Sequence, residues 1–316
     1  MSLTPQASAA LAQLVDAGMQ MHPAMSIREM RRLAALRQGG PAPQVAKTED
    51  FTVAGPSGVK VPVRIYRPAG VDGPTPPVLF FHGGGWVIGS LDSHDAQARR
   101  LTNLSGCTLI SVDYRLAPEH PFPAAYDDAM AVTRWISGAA EHIGVTPGPF
   151  GLCGDSSGGN LAAAAALTAR DEGLDVGVMS LIYPVLDNRP DRYPSYKAYA
   201  DGYFLTRKAM DWYLDQYIPE DFRSDWRASP MRAINLAGLP PTMVLTVEMD
   251  VLRDEAEDFA FRLRSYGVKV SLVRYSGMFH GSLGLTHLID ASMEMHIDAA
   301  GMLRHHLVGD CLLYTS

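Results

Sequence analysis

The sequence predicts an α/β fold, a mostly parallel sheet covered by helices on both faces. Three observations carry this. From residue 78 onward, short unbroken apolar runs alternate with segments of helical period, the pattern of strands buried on both sides. Upstream of residue 78 the apolar period is two, as in antiparallel strands at a sheet edge. The chain of 316 residues is 47% hydrophobic and 19% charged, which suits one large core.

Residues 4–38 read as helical. Leu11, Leu14, Val15 and Met19 recur at helical spacing, and Ser26-Ile27-Arg28-Glu29 resembles a capping box ahead of Met30, Leu33 and Leu36. Gly39-Gly40-Pro41-Ala42-Pro43 ends the helix as a linker. Edge strands follow at 51–53 and 59–66, the second alternating through Val61, Val63 and Ile65, with a turn at Gly55-Pro56-Ser57-Gly58. Beyond the Pro/Gly-rich stretch 69–77, buried strands are expected at 78–81, 107–112, 150–153, 177–183, 242–247 and 268–273. Helices are expected near 94–104, 124–142, 157–172, 254–266 and 290–307.

One section breaks the rhythm. Residues 187–226 are rich in Tyr, Arg and Asp, carry Pro190, Pro194 and Pro219, and hold a helical stretch at 206–216. The section is too long for a plain strand-to-helix connection and reads as a functional insertion or lid. Residues 311–316 follow the last helix without periodicity and read as a frayed or non-native tail.

Charge and composition remove several classes. A formal net charge of −7 gives no electrostatic support for a nucleic-acid partner. No run of 18 apolar residues is present, so no membrane span is expected. The stretch 1–14 lacks a basic start and is interrupted by Gln6 and Gln13, so a secretory signal is not expected. Cys107, Cys153 and Cys311 form no C-x-x-C pair, and the first two sit in strand-like runs as buried thiols, which favours the cytoplasm. No histidine spacing suggests metal ligation, and neither a metal nor a cofactor is expected.

The chemistry is concentrated in Gly154-Asp155-Ser156-Ser157-Gly158-Gly159-Asn160, where an apolar run meets a small-residue corner and an Ala-rich helix. Gly154 to Gly158 fits G-x-S-x-G, in which a serine at a sharp strand-to-helix turn stands clear of the sheet. By itself this is equally a Gly-rich connection. A nucleophilic serine needs a base, an orienting carboxylate and oxyanion donors. Phe80-Phe81-His82-Gly83-Gly84-Gly85-Trp86 follows a predicted strand and matches the HGGG element of lipases and esterases. The N–H groups of Gly83, Gly84 and Ser157 are the expected donors. A phosphate loop is disfavoured, since no Gly-Lys-[Ser/Thr] follows and the run does not fit G-x-G-x-x-G.

Asp250 and His280 each lie past a predicted strand, in the order Ser, acid, His. Glu248, Asp254 and Glu255 rival Asp250, but Asp254 and Glu255 read as first-turn residues of the next helix. His82 reads as a structural support of the glycine loop, and His287, His296, His305 and His306 as solvated or half-buried residues on or beside the last helix. Trp86, Tyr183, Leu205, Leu252, Met278 and Phe279 flank these elements and are candidates to line an acyl or alcohol pocket.

His82-Gly83-Gly84-Gly85-Trp86, Asp113-Tyr114-Arg115-Leu116-Ala117-Pro118-Glu119, Gly154 to Asn160, Asp250-Val251-Leu252-Arg253-Asp254-Glu255 and His280-Gly281 stand in one order. Through them the chain, from Val59 to the last helix, resembles the bacterial hormone-sensitive lipase family (family IV), GDSAG-type branch, of the α/β-hydrolases. The interval from acid to base, 280 − 250 = 30, also looks familial. Ser157 stands where the family usually has Ala, Val251 where it has Pro, and Ser282 where an aromatic is frequent.

The resemblance implies an α/β-hydrolase fold with an eight-stranded sheet. It implies a helical cap made from 1–45 and 187–226 over a catalytic domain made from 46–186 and 227–310. It gives Asp113 and Arg115 a structural role beside the oxyanion loop. It further implies a carboxylesterase acting on short- to medium-chain acyl esters through an acyl-enzyme, and a homodimer through strand 268–273. An amidase, a lactonase or a deacetylase would use the same triad, and some receptors share the fold but typically lack the catalytic His.

Overall fold

The computed structural model describes residues 2–19, 24–36 and 40–309. The N-terminal helical stretch is two helices, α1 (Pro5–Asp16) and α2 (Ile27–Leu36). Thr4 caps α1 by accepting the Ala7 N–H, with Pro5 in the first turn where its missing N–H costs nothing. Ser26 accepts the Glu29 N–H at 3.2 Å, but Glu29 turns its carboxylate to Arg32, so only half of the expected capping box forms. The expected continuation of the helix to 38, part of the linker at Gly39, and the tail 311–316 lie outside the described residues.

The sheet then builds in chain order through β1 (Lys47–Ala54), β2 (Lys60–Arg67) and β3 (Pro77–Phe81). Helix α3 (Asp95–Ser105), β4 (Thr108–Val112), α4 (Ala124–Ile143), β5 (Phe150–Asp155), α5 (Ser157–Asp171) and β6 (Val176–Ile182) follow. The insertion carries the short α6 (Ser195–Ala198) and α7 (Arg207–Tyr217), before β7 (Thr242–Met249), α8 (Arg253–Ser265), β8 (Val270–Phe279) and α9 (Asp290–Leu307).

The eight strands lie in the order β1-β2-β4-β3-β5-β6-β7-β8. The β1–β2 and β2–β4 pairings are antiparallel and the other five parallel, so β2 alone runs against the rest. Alternate strand residues feed two cores. Leu79, Phe81, Ile110 and Leu152 pack toward α4, α5 and α8, whereas Val78, Phe80, Leu109 and Cys153 pack toward α1, α3 and α9. Ala162 to Ala166 are all fully buried, small side chains that fit α5 closely against the sheet.

The last strand differs from expectation. It starts at Val270 and runs to Phe279, six residues beyond the expected end at 273. As the sheet's outer strand it alternates exposed and half-buried residues, and it runs on through Ser276-Gly277, with pairing resuming at Met249↔Phe279 after a register shift. His280 therefore follows the strand directly. No described helix is long and apolar enough to cross a membrane.

Candidate active site

The centre of the sheet is where the chain order reverses: β3 lies between β4 and β5, the point at which open α/β sheets form a crevice. The segments after β3 and β5 meet there. Ser156 closes β5 with φ 55° and ψ −120°, a conformation that side-chain-bearing residues rarely adopt. Its neighbours explain how that turn closes. A Cβ on Gly154 would strike the Gly158 carbonyl, and one on Gly158 would strike the Phe81 carbonyl. The Ser156 N–H donates to Ile182 O at 2.9 Å, and the Asn160 amide donates to Val185 O and Ala228 O at 3.0 and 2.8 Å. The corner is pinned from both sides.

The structure brings Ser156, His280 and Asp250 into one chain of hydrogen bonds. His280 Nε2 lies 2.9 Å from Ser156 Oγ, and its Nδ1 lies 2.7 Å from Asp250 Oδ2. Since a carboxylate only accepts, the Asp250 contact places the ring proton on Nδ1 and leaves Nε2 as the acceptor for the serine hydroxyl. Asp250 is 1% exposed, and its other oxygen accepts the Leu252 N–H at 3.0 Å. The Tyr183 ring packs 4.6 Å from the imidazole and limits its swing.

The rival acids are occupied elsewhere. Glu248 accepts the Gly277 N–H at 2.7 Å and so holds the end of β8. Asp254 accepts the Ser195 N–H and pairs with Arg253. Glu255 is fully buried, accepts the Leu186 N–H at 2.6 Å, and has its pKa raised well above the usual carboxylate range by that burial. Both stand in the first turn of α8.

The glycine loop departs from expectation at one residue. The Gly83 N–H donates to Asp155 Oδ1 at 2.9 Å, so it is engaged within the protein. Gly84 and Gly85, with φ of 128° and 59°, line the cavity beside Ser156, and their N–H groups have no protein acceptor among the described residues. A three-glycine run does not say which of its amides a carboxylate far downstream, here that of Asp155, occupies. Ser157 opens α5, so its N–H is one of the four that the helix itself leaves unused.

Behind the loop, the fully buried His82 ring holds Gly83 O through Nδ1 at 2.8 Å, and burial lowers its pKa to about 4. Tyr114 stacks on that ring and donates to His82 O at 2.7 Å. Arg115 clamps the buried Asp128 of α4, which also accepts the Arg115 N–H at 2.9 Å.

A cavity of about 230 Å³ opens over Ser156 and His280. Of the six candidate lining residues, Tyr183 and Leu205 border it. Trp86, Leu252, Met278 and Phe279 do not. Trp86 is fully buried and stacked on Tyr217 at 4.2 Å, while Leu252, Met278 and Phe279 are 0 to 1% exposed core side chains. The lining comes instead from α1 and α2 (Leu14, Ala34) and from the insertion (Phe204, Met210, Tyr213). His296, expected to be solvated or half-buried, is a fully buried residue of α9 with Nδ1 bound to Ser292 O at 2.8 Å. Among the described residues no group of three His, Cys, Asp or Glu side chains is placed to hold a metal ion.

A serine at a strained strand-to-helix corner, a histidine–carboxylate relay and a glycine loop on a switched parallel sheet define an α/β-hydrolase. A family model for the alpha/beta hydrolase fold matches residues 78–284. Among curated relatives, the carboxylic ester hydrolase LipN of Mycobacterium tuberculosis is 38% identical over 87% of this chain and 75% of its own length. The ethyl acetate hydrolase of Pseudomonas putida is 34% identical over 97% of this chain and 100% of its own. The solved hyperthermophilic esterase of the archaeon Pyrobaculum calidifontis superposes with a TM-score of 0.90 at 37% identity, covering 96% of this chain and 98% of that one. The chain belongs to the bacterial hormone-sensitive lipase-type (family IV) esterases of the α/β-hydrolase superfamily.

Proposed function

We propose that the chain is a carboxylesterase that hydrolyses short- to medium-chain acyl esters, with Ser156 as nucleophile, His280 as base and Asp250 as the orienting acid. One observation carries the assignment of roles: the unbroken Ser156–His280–Asp250 hydrogen-bond relay beside an accessible cavity. His280 Nε2 takes the hydroxyl proton as Oγ attacks the ester carbonyl. Asp250 holds the ring and stabilises the imidazolium that forms. The negative oxygen of the tetrahedral intermediate is met by the N–H groups of Gly84, Gly85 and Ser157. His280 returns the proton to the departing alkoxide, leaving an acyl-Ser156. Water then loses a proton to His280, attacks the acyl carbon, and the acid is released with the proton back on Ser156 Oγ.

The segments 1–45 and 187–226 act as a cap, a reading supported by the apolar lining that Leu14, Ala34, Phe204 and Tyr213 contribute. Among the described residues β8 pairs with no strand but β7, and the open edge of its first half supports homodimerisation through that strand. Buried Cys107 and Cys153, free of any disulfide, support a cytoplasmic location. Covalent capture by a fluorophosphonate, abolished in Ser156→Ala, tests the nucleophile. A p-nitrophenyl ester series tests chain length; a maximum on long acyl chains overturns that part.

A further inference from the structure

One arginine tied to the glycine loop has no part in the mechanism above. Arg31 of α2 donates from Nε to Val87 O at 2.9 Å and from Nη2 to Ala117 O at 3.0 Å. Its two Nη atoms also hold the Glu119 carboxylate, at 2.9 and 2.7 Å. One rigid guanidinium fork thus joins three segments: α2, the loop after β3 and the loop after β4. The ion pair is solvated, with 33% of the Arg31 side chain and 54% of that of Glu119 exposed, so it contributes little by itself. The carbonyls differ. Val87 and Ala117 are fully buried, and among the described residues Arg31 is the hydrogen-bond donor to each of their carbonyl oxygens.

Those carbonyls belong to the structure that aims Gly85. Gly84 O accepts the Val87 and Ile88 N–H groups at 3.1 and 3.0 Å. In a planar trans peptide the C=O and N–H point in opposite directions, so anchoring Gly84 O fixes where the Gly85 N–H points. Within that turn Trp86 has φ 58°, a conformation that a residue with a side chain keeps only when its surroundings impose it. Here the surroundings form a closed ring. Trp86 O accepts the Ala117 N–H at 2.8 Å, Arg31 spans Ala117 O and Val87 O, and Trp86 and Val87 are consecutive.

Resting on the esterase reading above and its oxyanion donors, we infer that Arg31 is a positioning residue for catalysis. It does not border the cavity, yet through Val87 and Ala117 it sets the direction of the Gly85 N–H and couples α2 to stabilisation of the oxyanion. The competing role is shape alone. Ala34 and Leu36 of the same helix border the cavity, so a loosened α2 would disturb acyl-chain binding and leave the oxyanion untouched. Acyl length separates the two roles, because every ester forms the same oxyanion whereas contact with the cavity wall grows with the chain.

The test measures kcat and KM for p-nitrophenyl acetate, butyrate and hexanoate in wild type, Arg31→Met, Arg31→Lys and Glu119→Gln. Arg31→Met should lower kcat about 10-fold on all three esters alike, part of the roughly 10²- to 10³-fold that a whole oxyanion donor carries, with KM within about threefold. Arg31→Lys keeps a charge opposite Glu119 but not the planar fork, and should lose nearly as much. Glu119→Gln keeps Arg31 and both carbonyl contacts, and should lose less than about threefold. Wild-type kcat in Arg31→Met overturns the inference, as does a loss that appears in KM and deepens from acetate to hexanoate. A Glu119→Gln loss equal to that of Arg31→Met overturns it too, by assigning the effect to the ion pair. If Arg31→Met does not fold, Arg31→Lys against Glu119→Gln decides on the same criteria. Failure of wild type to hydrolyse any of the three esters removes the esterase reading itself and the inference with it.

Discussion

The Asp155 carboxylate accepts the Gly83 N–H at 2.9 Å, which ties the residue before Ser156 to the first glycine of the loop after β3. The nucleophile corner and the glycine loop are thereby one assembly. Asp155→Ala frees Gly83 and lets the loop drift, so kcat should fall about 10- to 100-fold while KM changes by less than about threefold. Asp155→Asn keeps an oxygen acceptor and should recover most of the loss. Equal losses in both variants would show that the charge, not the hydrogen bond, matters.

Ser156→Ala removes the attacking oxygen and leaves the backbone turn in place. Esterase activity should fall by about 10³-fold or more, with the thermal midpoint within about 3 °C of wild type. Steady-state rates and calorimetry on the same preparation check both halves.

Gly85→Ala tests the revised set of oxyanion donors. With φ of 59°, a Cβ at this position falls on the Tyr213 ring, and the loop must shift away from Ser156. A drop in kcat of about 10²-fold is expected, the scale of one lost oxyanion donor. Tyr213→Ala in the same chain should restore part of it by clearing the clash. A Gly85→Ala enzyme of wild-type kcat removes Gly85 from the donor set.

Acid stability should be limited by two histidines. Burial lowers both His82 and His296 to about 4, against an unfolded value near 6.5. Between those pH values the unfolded chain binds more protons than the folded one, so stability falls as pH drops from about 6.5 to about 4. Each histidine accounts for roughly 3 kcal/mol of loss by pH 4. Urea melts at pH 7 and pH 4.5 should give a smaller difference in His82→Asn, whose amide still donates to Gly83 O. An unchanged difference would clear His82 of the effect.

Arg115→Met leaves the Asp128 carboxylate, 1% exposed in its side chain, without its cation. Among the described residues the Arg115 N–H then remains as its hydrogen-bond partner. A stability loss of roughly 3 kcal/mol is expected, and Asp128→Asn in the same chain should lessen it, because a neutral amide is cheaper to bury unpaired. Denaturant melts of the three variants measure the coupling.

Much of this molecule was legible in the residue order. The apolar runs marked all eight strands, and the G-x-S-x-G and HGGG elements fell where β5 and β3 end. The meeting of Asp250 and His280 was legible for a similar reason: each sits just past a strand of the same sheet, and parallel strands deliver their ends to one edge. The end of β8 was less legible because an outer strand alternates exposed residues and tolerates a Ser-Gly pair that elsewhere marks a turn.

What the order of residues determined by itself was local: periodicity set the elements, and glycines were required wherever backbone approaches backbone, as Gly158 does at the Phe81 carbonyl. What only the tertiary structure decided was which groups face one another. Trp86 stacks on Tyr217, 131 positions later (217 − 86), and so leaves the cavity it flanks in sequence. Gly83 surrenders its N–H to Asp155. Hydrogen-bond partners and cavity walls depend on the packing of segments far apart in the chain, and no spacing rule within one segment encodes that packing.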